Sequence, residues 1–206
     1  MCAPYSPENP LEDDHYWCDE CDKPYFLACI DHPIYHLCDR EVIDEHGQEI
    51  STPVSRRAIR TLPEYLVIKA STIQGAGSGV FARYGIPIGI VFGPYQGILH
   101  DVPNDRGYVW EIRSLDAPSM YIDGADPDCS NWMRYVNSSR HEEEQNLIAY
   151  QHNGSIFYRV YRPIPVNGEL FVWYGDSYGK DLGICQVDSP RRNRRRRAGR
   201  NPFIKQ

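Results

Sequence analysis

The sequence has no apolar run approaching the ~18 residues that a helix needs to cross a bilayer. Its first residues, Met1-Cys2-Ala3-Pro4, carry no basic segment followed by an apolar stretch, so no secretory signal is visible. No internal repeat is present. No Gly-rich turn opens a helix inside a βαβ unit, which argues against a dinucleotide or P-loop phosphate site. Long helices are also discouraged, because 16 Gly and 16 Pro punctuate the 206 residues. After Cys38 only Cys129 and Cys185 remain, too few for a run of DNA-reading zinc fingers.

What is present suits a folded domain. Hydrophobic residues make up 41% and aromatics 12%. The formal net charge of −6 hides an asymmetry: residues 191–206 hold eight Lys/Arg and no acid, leaving the first 190 residues with 14 basic and 28 acidic groups, a net of −14. An acidic body attracts basic partners and repels nucleic acid. The arginine run from Arg191 to Arg197 reads as a nuclear localisation signal, a nucleic-acid contact or simply a solvated end.

The seven cysteines are an odd number, and four of them fall between Cys18 and Cys38. Clustered cysteines without a secretory signal point to metal ligation rather than disulfides. Cys18-x2-Cys21-x7-Cys29-x2-His32 has the spacing of a closed Cys3His zinc knuckle, in which each pair is turned toward one tetrahedral ion. A closed set leaves no open position, so the expected zinc is structural. His36 and Cys38 are alternatives to His32 as the fourth ligand, and reduced, partly buried cysteines are the alternative to a metal site.

The expected organisation is a loose segment at 1–16, the knuckle at 17–38, a connector at 39–61 with one short helix, a main domain at 62–184 and a basic, disordered tail at 185–206. The main domain reads as mainly β. Its candidate strands are Tyr65–Ala70, Val80–Ala82, Ile90–Phe92, Tyr108–Ile112, Leu147–Gln151, Ile156–Tyr161 and Leu170–Trp173. Asn153-Gly154 predicts a two-residue hairpin turn. Two short helices are expected, over Asn131–Val136 and His141–Asn146.

Three separated segments carry the chemistry: Gln74–Phe81 with its glycines, Asn131–Ser138 and Asn167–Asp176. Together with Phe92-Gly93-Pro94-Tyr95, Gly107-Tyr108-Val109-Trp110, Glu144-Gln145-Asn146-Leu147 and Val172-Trp173-Tyr174-Gly175, they resemble the PR subfamily of SET methyltransferases in order and spacing over about 62–184. The knuckle spacing also resembles the one preceding this domain in the recombination-hotspot member of that subfamily. The resemblance implies a SET-type fold of small curved β-sheets with a knot-like C-terminal crossing. It also implies methyl transfer from S-adenosylmethionine to a lysine of a histone tail, with histone H3 lysine 4 first and lysine 36 second, in the nucleus on chromatin.

By the same resemblance, Ala76, Gly77, Ser78, Tyr108, Asn137 and Ser138 contact the cofactor. Tyr174 is the catalytic tyrosine at the transfer point. Tyr95, Tyr121 and Tyr158 wall the lysine channel with Tyr174. Asp105, Arg106, Gly107, Tyr108, Val109, Trp110 and Glu111 form the strand beside the bound peptide. The residue types suit the task. Transfer to carbon requires an aligned neutral amine and exclusion of water. Aromatic walls desolvate the lysine and lower its pKa, and their faces tolerate the cationic product. A peptide beside a strand gains main-chain hydrogen bonds.

Ordinary packing is the competing reading for each of these tyrosines, since the chain has 15 and half-buried tyrosines are common in β-rich domains. The pattern also departs from most active SET enzymes. Asn137-Ser138-Ser139-Arg140 stands where they have Asn-His-Ser-Cys, a replacement usual in the PR subfamily that accompanies weak or absent activity in several members. Only Cys185 follows Tyr174, so the usual cysteine-rich closing cluster is expected to be missing or built differently. A silent PR domain that recruits chromatin proteins is therefore the second reading. A nucleic-acid-binding zinc protein is the third, and the −14 body weighs against it.

Overall fold

The computed structural model describes residues 15–18, 20–25, 29–43, 46–50, 53–103, 107–114 and 117–174. In chain order its strands are β1 (Tyr16–Cys18), β2 (Lys23–Tyr25), β3 (Tyr35–Leu37), β4 (Leu66–Ala70), β5 (Ser78–Ala82), β6 (Ile90–Phe92), β7 (Ile98–His100), β8 (Val109–Ile112), β9 (Met120–Asp123), β10 (Asn137–Ser138), β11 (Leu147–His152), β12 (Ser155–Val160) and β13 (Phe171–Val172). A four-residue helix, α1 (Arg57–Arg60), precedes β4, and a 3₁₀ turn (Trp132–Tyr135) precedes β10. No helix among the described residues is long and apolar enough to cross a membrane. The mainly β reading holds, with few and short helices.

The strands form five small sheets. The largest has the order β11-β12-β6-β3, in which β11, β12 and β6 are antiparallel neighbours and β3 runs parallel to β6. Side chains alternate across a strand, so this sheet serves two cores. Phe92, Leu147, Ala149, Ile156, Tyr158 and Val160 face a main core shared with Trp110, Trp132, Met133 and Leu170. Val91, Tyr150 and Phe157 face a second cluster with Tyr16, Cys18 and Cys29 of the N-terminal segment. There Arg159 donates to the Tyr16 hydroxyl at 3.0 Å, between two buried side chains. The knuckle thus packs directly on the sheet, and β3 extends that sheet.

The sequence signals act as expected at the β11–β12 turn. Asn153 and Gly154 have φ of 47° and 68°, the left-handed pair that a tight hairpin requires. The three-stranded sheet β7-β9-β8 leaves β8 at an edge. Gln151, buried in β11, clamps that strand's exit: its amide accepts from the Arg113 N–H at 2.8 Å and donates to the Arg113 carbonyl at 2.7 Å.

Two expectations about helices change. The Asn131–Val136 segment is a 3₁₀ turn with Asn131 extended. The His141–Asn146 segment is a turn, not a helix. Glu144 folds back to accept from the Arg140 and His141 N–H groups. Asn146 is then committed elsewhere, exchanging hydrogen bonds with the Glu169 carbonyl and the Phe171 N–H. Those tertiary bonds override the weak local helix preference. They also seat β13 beside β10, a parallel pair with Asn137 opposite Phe171 and Ser138 opposite Val172. The expected passage of the chain after Tyr174 lies outside the described residues.

Candidate functional site

The β1–β2 hairpin carries Cys18 at its first corner and Cys21 in its turn, with Asp22 left-handed at φ 55°. Cys29 and His32 return beneath it. The Cys21 and Cys29 sulfurs lie 3.6 Å apart, and His32 Nδ1 lies 3.7, 3.3 and 3.6 Å from the sulfurs of Cys18, Cys21 and Cys29. All four ligand atoms fall within 4.8 Å of one another. A tetrahedron with Zn–S bonds of about 2.3 Å has edges of about 3.8 Å, so donor set and spacing fit Zn²⁺. The two alternatives to His32 point elsewhere. His36 meets the Phe157 ring edge-on at 5.6 Å, and Cys38 is exposed.

A cavity of about 420 Å³ opens on the main domain. Ala76, Gly77, Ser78, Tyr108, Asn137, Ser138 and Tyr174 all line it. These residues come from four segments separated by up to 98 positions, and the fold brings them to one place. Gly75 and Gly77 are left-handed (φ 81° and 75°), which lets the chain reverse sharply at the cavity wall. The Asn137 amide donates to the Ser78 carbonyl at 2.9 Å and so ties β10 to the turn. Tyr108 is held from above by Arg134, whose guanidinium lies 4.5 Å from its ring and donates to the carbonyls of Gly124 and Ala125.

Tyr174 is placed by β13. Its N–H reaches the Ser138 hydroxyl at 3.4 Å, and its hydroxyl donates to the Val136 carbonyl at 2.5 Å. Its ring meets that of Trp110 edge to face, with the centroids 5.5 Å apart. Beyond Trp110 lie Tyr158, at 5.7 Å, and Tyr95, whose ring is 6.2 Å from that of Tyr158. The Tyr95 hydroxyl donates to the Tyr108 carbonyl at 2.9 Å. Burial pushes the hydroxyls of Tyr95 and Tyr158 well above the usual phenol range, and the nearby Tyr174 adds to the shift. Both stay protonated at any physiological pH, so they can orient a ligand but not act as bases.

Not every expected residue joins this group. Tyr121 sits opposite His100 and Glu111 in the three-stranded sheet, while its neighbour Ile122 pairs with Trp110. Alternation therefore turns Tyr121 to the face away from Trp110, Tyr158 and Tyr95. Val109, Trp110 and Glu111 lie in edge strand β8, Gly107 and Tyr108 precede it, and Asp105 and Arg106 lie outside the described residues.

Other contributors were not foreseen. Ile73, Arg134, Tyr135 and Arg140 also line the cavity. Glu169 is buried behind it, 6% exposed, and accepts from Ser71 and Thr72. An acid between Gly168 and the apolar run Leu170-Phe171-Val172 was the available signal, since a carboxylate at the head of a buried strand needs donors.

Comparison with known proteins gives a consistent picture. The family model described as PR domain zinc finger protein 2, PR domain, matches residues 66–185. Histone-lysine N-methyltransferase set-17 of Caenorhabditis elegans is 43% identical over 190 residues, 91% of this chain and 65% of that protein. Histone-lysine N-methyltransferase PRDM7 of Homo sapiens is 38% identical over 185 residues, 88% of this chain and 36% of that protein. The chain therefore spans less than two thirds of either relative. Among solved structures, the methyltransferase domain of human PR domain-containing protein 2 superposes with a TM-score of 0.52 at 29% identity, covering 72% of this chain and 99% of that one.

Proposed function

This chain belongs to the PR domain family, and on that premise we propose that it is a protein-lysine methyltransferase using S-adenosylmethionine and acting on a histone tail. One observation carries the reading: Tyr174 both lines the cavity and meets, through Trp110, the buried Trp110-Tyr158-Tyr95 group. A cofactor in the cavity and a lysine among the aromatics would share that single residue.

The cavity's donor set fits the cofactor. Residues Ala76, Gly77 and Ser78 offer backbone groups, Asn137 and Ser138 offer a polar wall, and Tyr108 offers a ring face. S-adenosylmethionine bound there supplies an electrophilic methyl carbon on a sulfonium sulfur. The chain's own residues do the rest. Tyr95, Tyr158 and Trp110 exclude water and favour the neutral amine of the substrate lysine. The Tyr174 hydroxyl, anchored on the Val136 carbonyl, orients that amine at the junction. β8, an edge strand among the described residues, takes the peptide by strand addition.

The substrate is the histone H3 tail, with lysine 4 the first candidate and lysine 36 the second. The −14 body suits such a basic peptide, and the Arg191–Arg197 run suits a nuclear protein. Zn²⁺ at Cys18, Cys21, Cys29 and His32 is structural. A second reading, a silent PR domain that docks chromatin proteins, is favoured by one feature: Ser138-Ser139-Arg140 in place of His-Ser-Cys, with Arg140 at the cavity wall.

Incorporation of labelled methyl into an H3-tail peptide, compared with peptides lacking lysine 4 or lysine 36, tests the proposal. Label lost with one of those lysines supports the enzyme and names the site. Label in none of the peptides, from a folded sample, supports the docking module.

A further inference from the structure

Glu169 takes no part in the chemistry proposed above, yet its carboxylate accepts four hydrogen bonds. It is 6% exposed, and its acceptors are all occupied. Oε1 accepts from the Ser71 hydroxyl at 2.6 Å and from the Asn137 amide at 3.3 Å. Oε2 accepts from the Thr72 N–H at 2.7 Å and the Thr72 hydroxyl at 2.6 Å. The same Asn137 amide holds the Ser78 carbonyl. One carboxylate, 98 positions from Ser71 and 32 from Asn137 in the sequence, therefore joins the entry of the Gly-rich turn, at residues 71–72, to β10. Space for it is reserved: a Cβ on Gly79 would meet Glu169 Oε1, so the glycine in β5 accommodates the carboxylate rather than a ligand.

We infer that Glu169 is a positioning residue of the cofactor site, orienting the Asn137 amide that holds the Ser78 carbonyl and tying it to Ser71 and Thr72 at the entry of the Gly-rich turn. The inference rests on the reading that this cavity takes S-adenosylmethionine. Three short, charge-assisted bonds fix the carboxylate on Ser71 and Thr72, and the longer bond from Asn137 carries it to β10. A preorganised turn binds its ligand without a further ordering cost. Peptide binding along β8 does not use this joint.

The discriminating variant is Glu169→Gln. A glutamine keeps the shape and can still accept from Thr72. Its amide nitrogen then faces Ser71 and the Asn137 amide. Ser71 can turn its hydroxyl to accept, but Asn137 cannot, so the Glu169–Asn137 link is lost while the Asn137–Ser78 bond remains as the tie between the turn and β10. Calorimetric titration with S-adenosylmethionine, and steady-state kinetics with an H3-tail peptide, are run on the wild type and the variant. The expected result is an affinity for S-adenosylmethionine weakened about tenfold, KM for the peptide unchanged, and kcat at saturating S-adenosylmethionine nearly retained. If Glu169→Gln does not fold, Ser71→Ala removes one bond from the same carboxylate and is expected to weaken S-adenosylmethionine about threefold. A folded variant with wild-type affinity overturns the inference while leaving the methyltransferase reading intact. A wild type that does not bind S-adenosylmethionine overturns both.

Discussion

The indole N–H of Trp110 donates to the hydroxyl of Tyr158 at 2.8 Å, and the two side chains are 2% and 0% exposed. This is a buried polar pair inside an otherwise apolar group, so its satisfaction matters more than its strength. Trp110→Phe leaves the Tyr158 hydroxyl without its donor and is expected to cost about 1–3 kcal/mol of stability. Tyr158→Phe strands the indole N–H at similar cost. The double variant removes both polar groups and should lose less than the sum of the two. Urea denaturation of the four proteins checks this, and strictly additive losses would mean that the pair is not coupled.

Tyr174→Phe removes only the hydroxyl that donates to the Val136 carbonyl, while the ring contact with Trp110 remains. The fold and S-adenosylmethionine affinity are expected to persist, with methyl transfer reduced about a hundredfold or more. Stopped-time mass spectrometry of the peptide product measures this. Full activity in the variant removes Tyr174 from the catalytic role.

Metal removal should reach beyond the knuckle. Cys18 and Cys29 pack in one cluster with Val91 and Tyr150 of the large sheet, and β3 pairs with β6 three residues before Tyr95. Chelation, or Cys21→Ser, is expected to lower the melting temperature of the main domain by at least about 4 °C. This differs from a knuckle that merely precedes the domain. Calorimetry with metal analysis of the same samples provides the check; an unchanged main transition after zinc loss would show that the two parts are independent.

Asp39 gives a pH signature. Its carboxylate accepts from Asn131 at 2.8 Å and from the Trp132 indole at 2.6 Å. Burial nevertheless raises its pKa above the ordinary 3.8, outweighing those bonds and the nearby Arg57. A raised folded pKa means that the folded state holds the proton more tightly. Its stabilising contribution is then present below 3.8 and lost as pH rises through the folded value. The stability advantage of the wild type over Asp39→Asn should therefore shrink as pH rises from that region. Denaturation midpoints across the acid range show it, and a gap that widens with pH would contradict the sign.

Much of this was legible before folding was considered. The four candidate metal ligands follow from spacing alone, because two residues between ligands suffice to aim a pair. The same spacing put His32 ahead of His36, and the structure sets the alternative aside because β3 turns His36 toward Phe157. Strands marked by β-branched runs between Gly and Pro were found with shifts of one or two residues at most of their ends. The short strands β7 and β9 were not, and β10 with β13 form a parallel pair whose partners lie 34 residues apart. Nothing local announces such a pairing. Tyr121 shows the limit of motif reading: which parity of a strand faces the core depends on its neighbours, and Ile122 takes the inward place. Glu169 was visible as a residue but not as a joint, because its donors come from a segment far away in the chain.

Calorimetric titration of the zinc-loaded protein with S-adenosylmethionine, followed in the same sample by mass spectrometry of an added H3-tail peptide, tests the central claim most directly. The account expects saturable binding at one site and a peptide mass gain of one or more methyl groups. A folded, zinc-loaded sample with neither binding nor mass gain would contradict it.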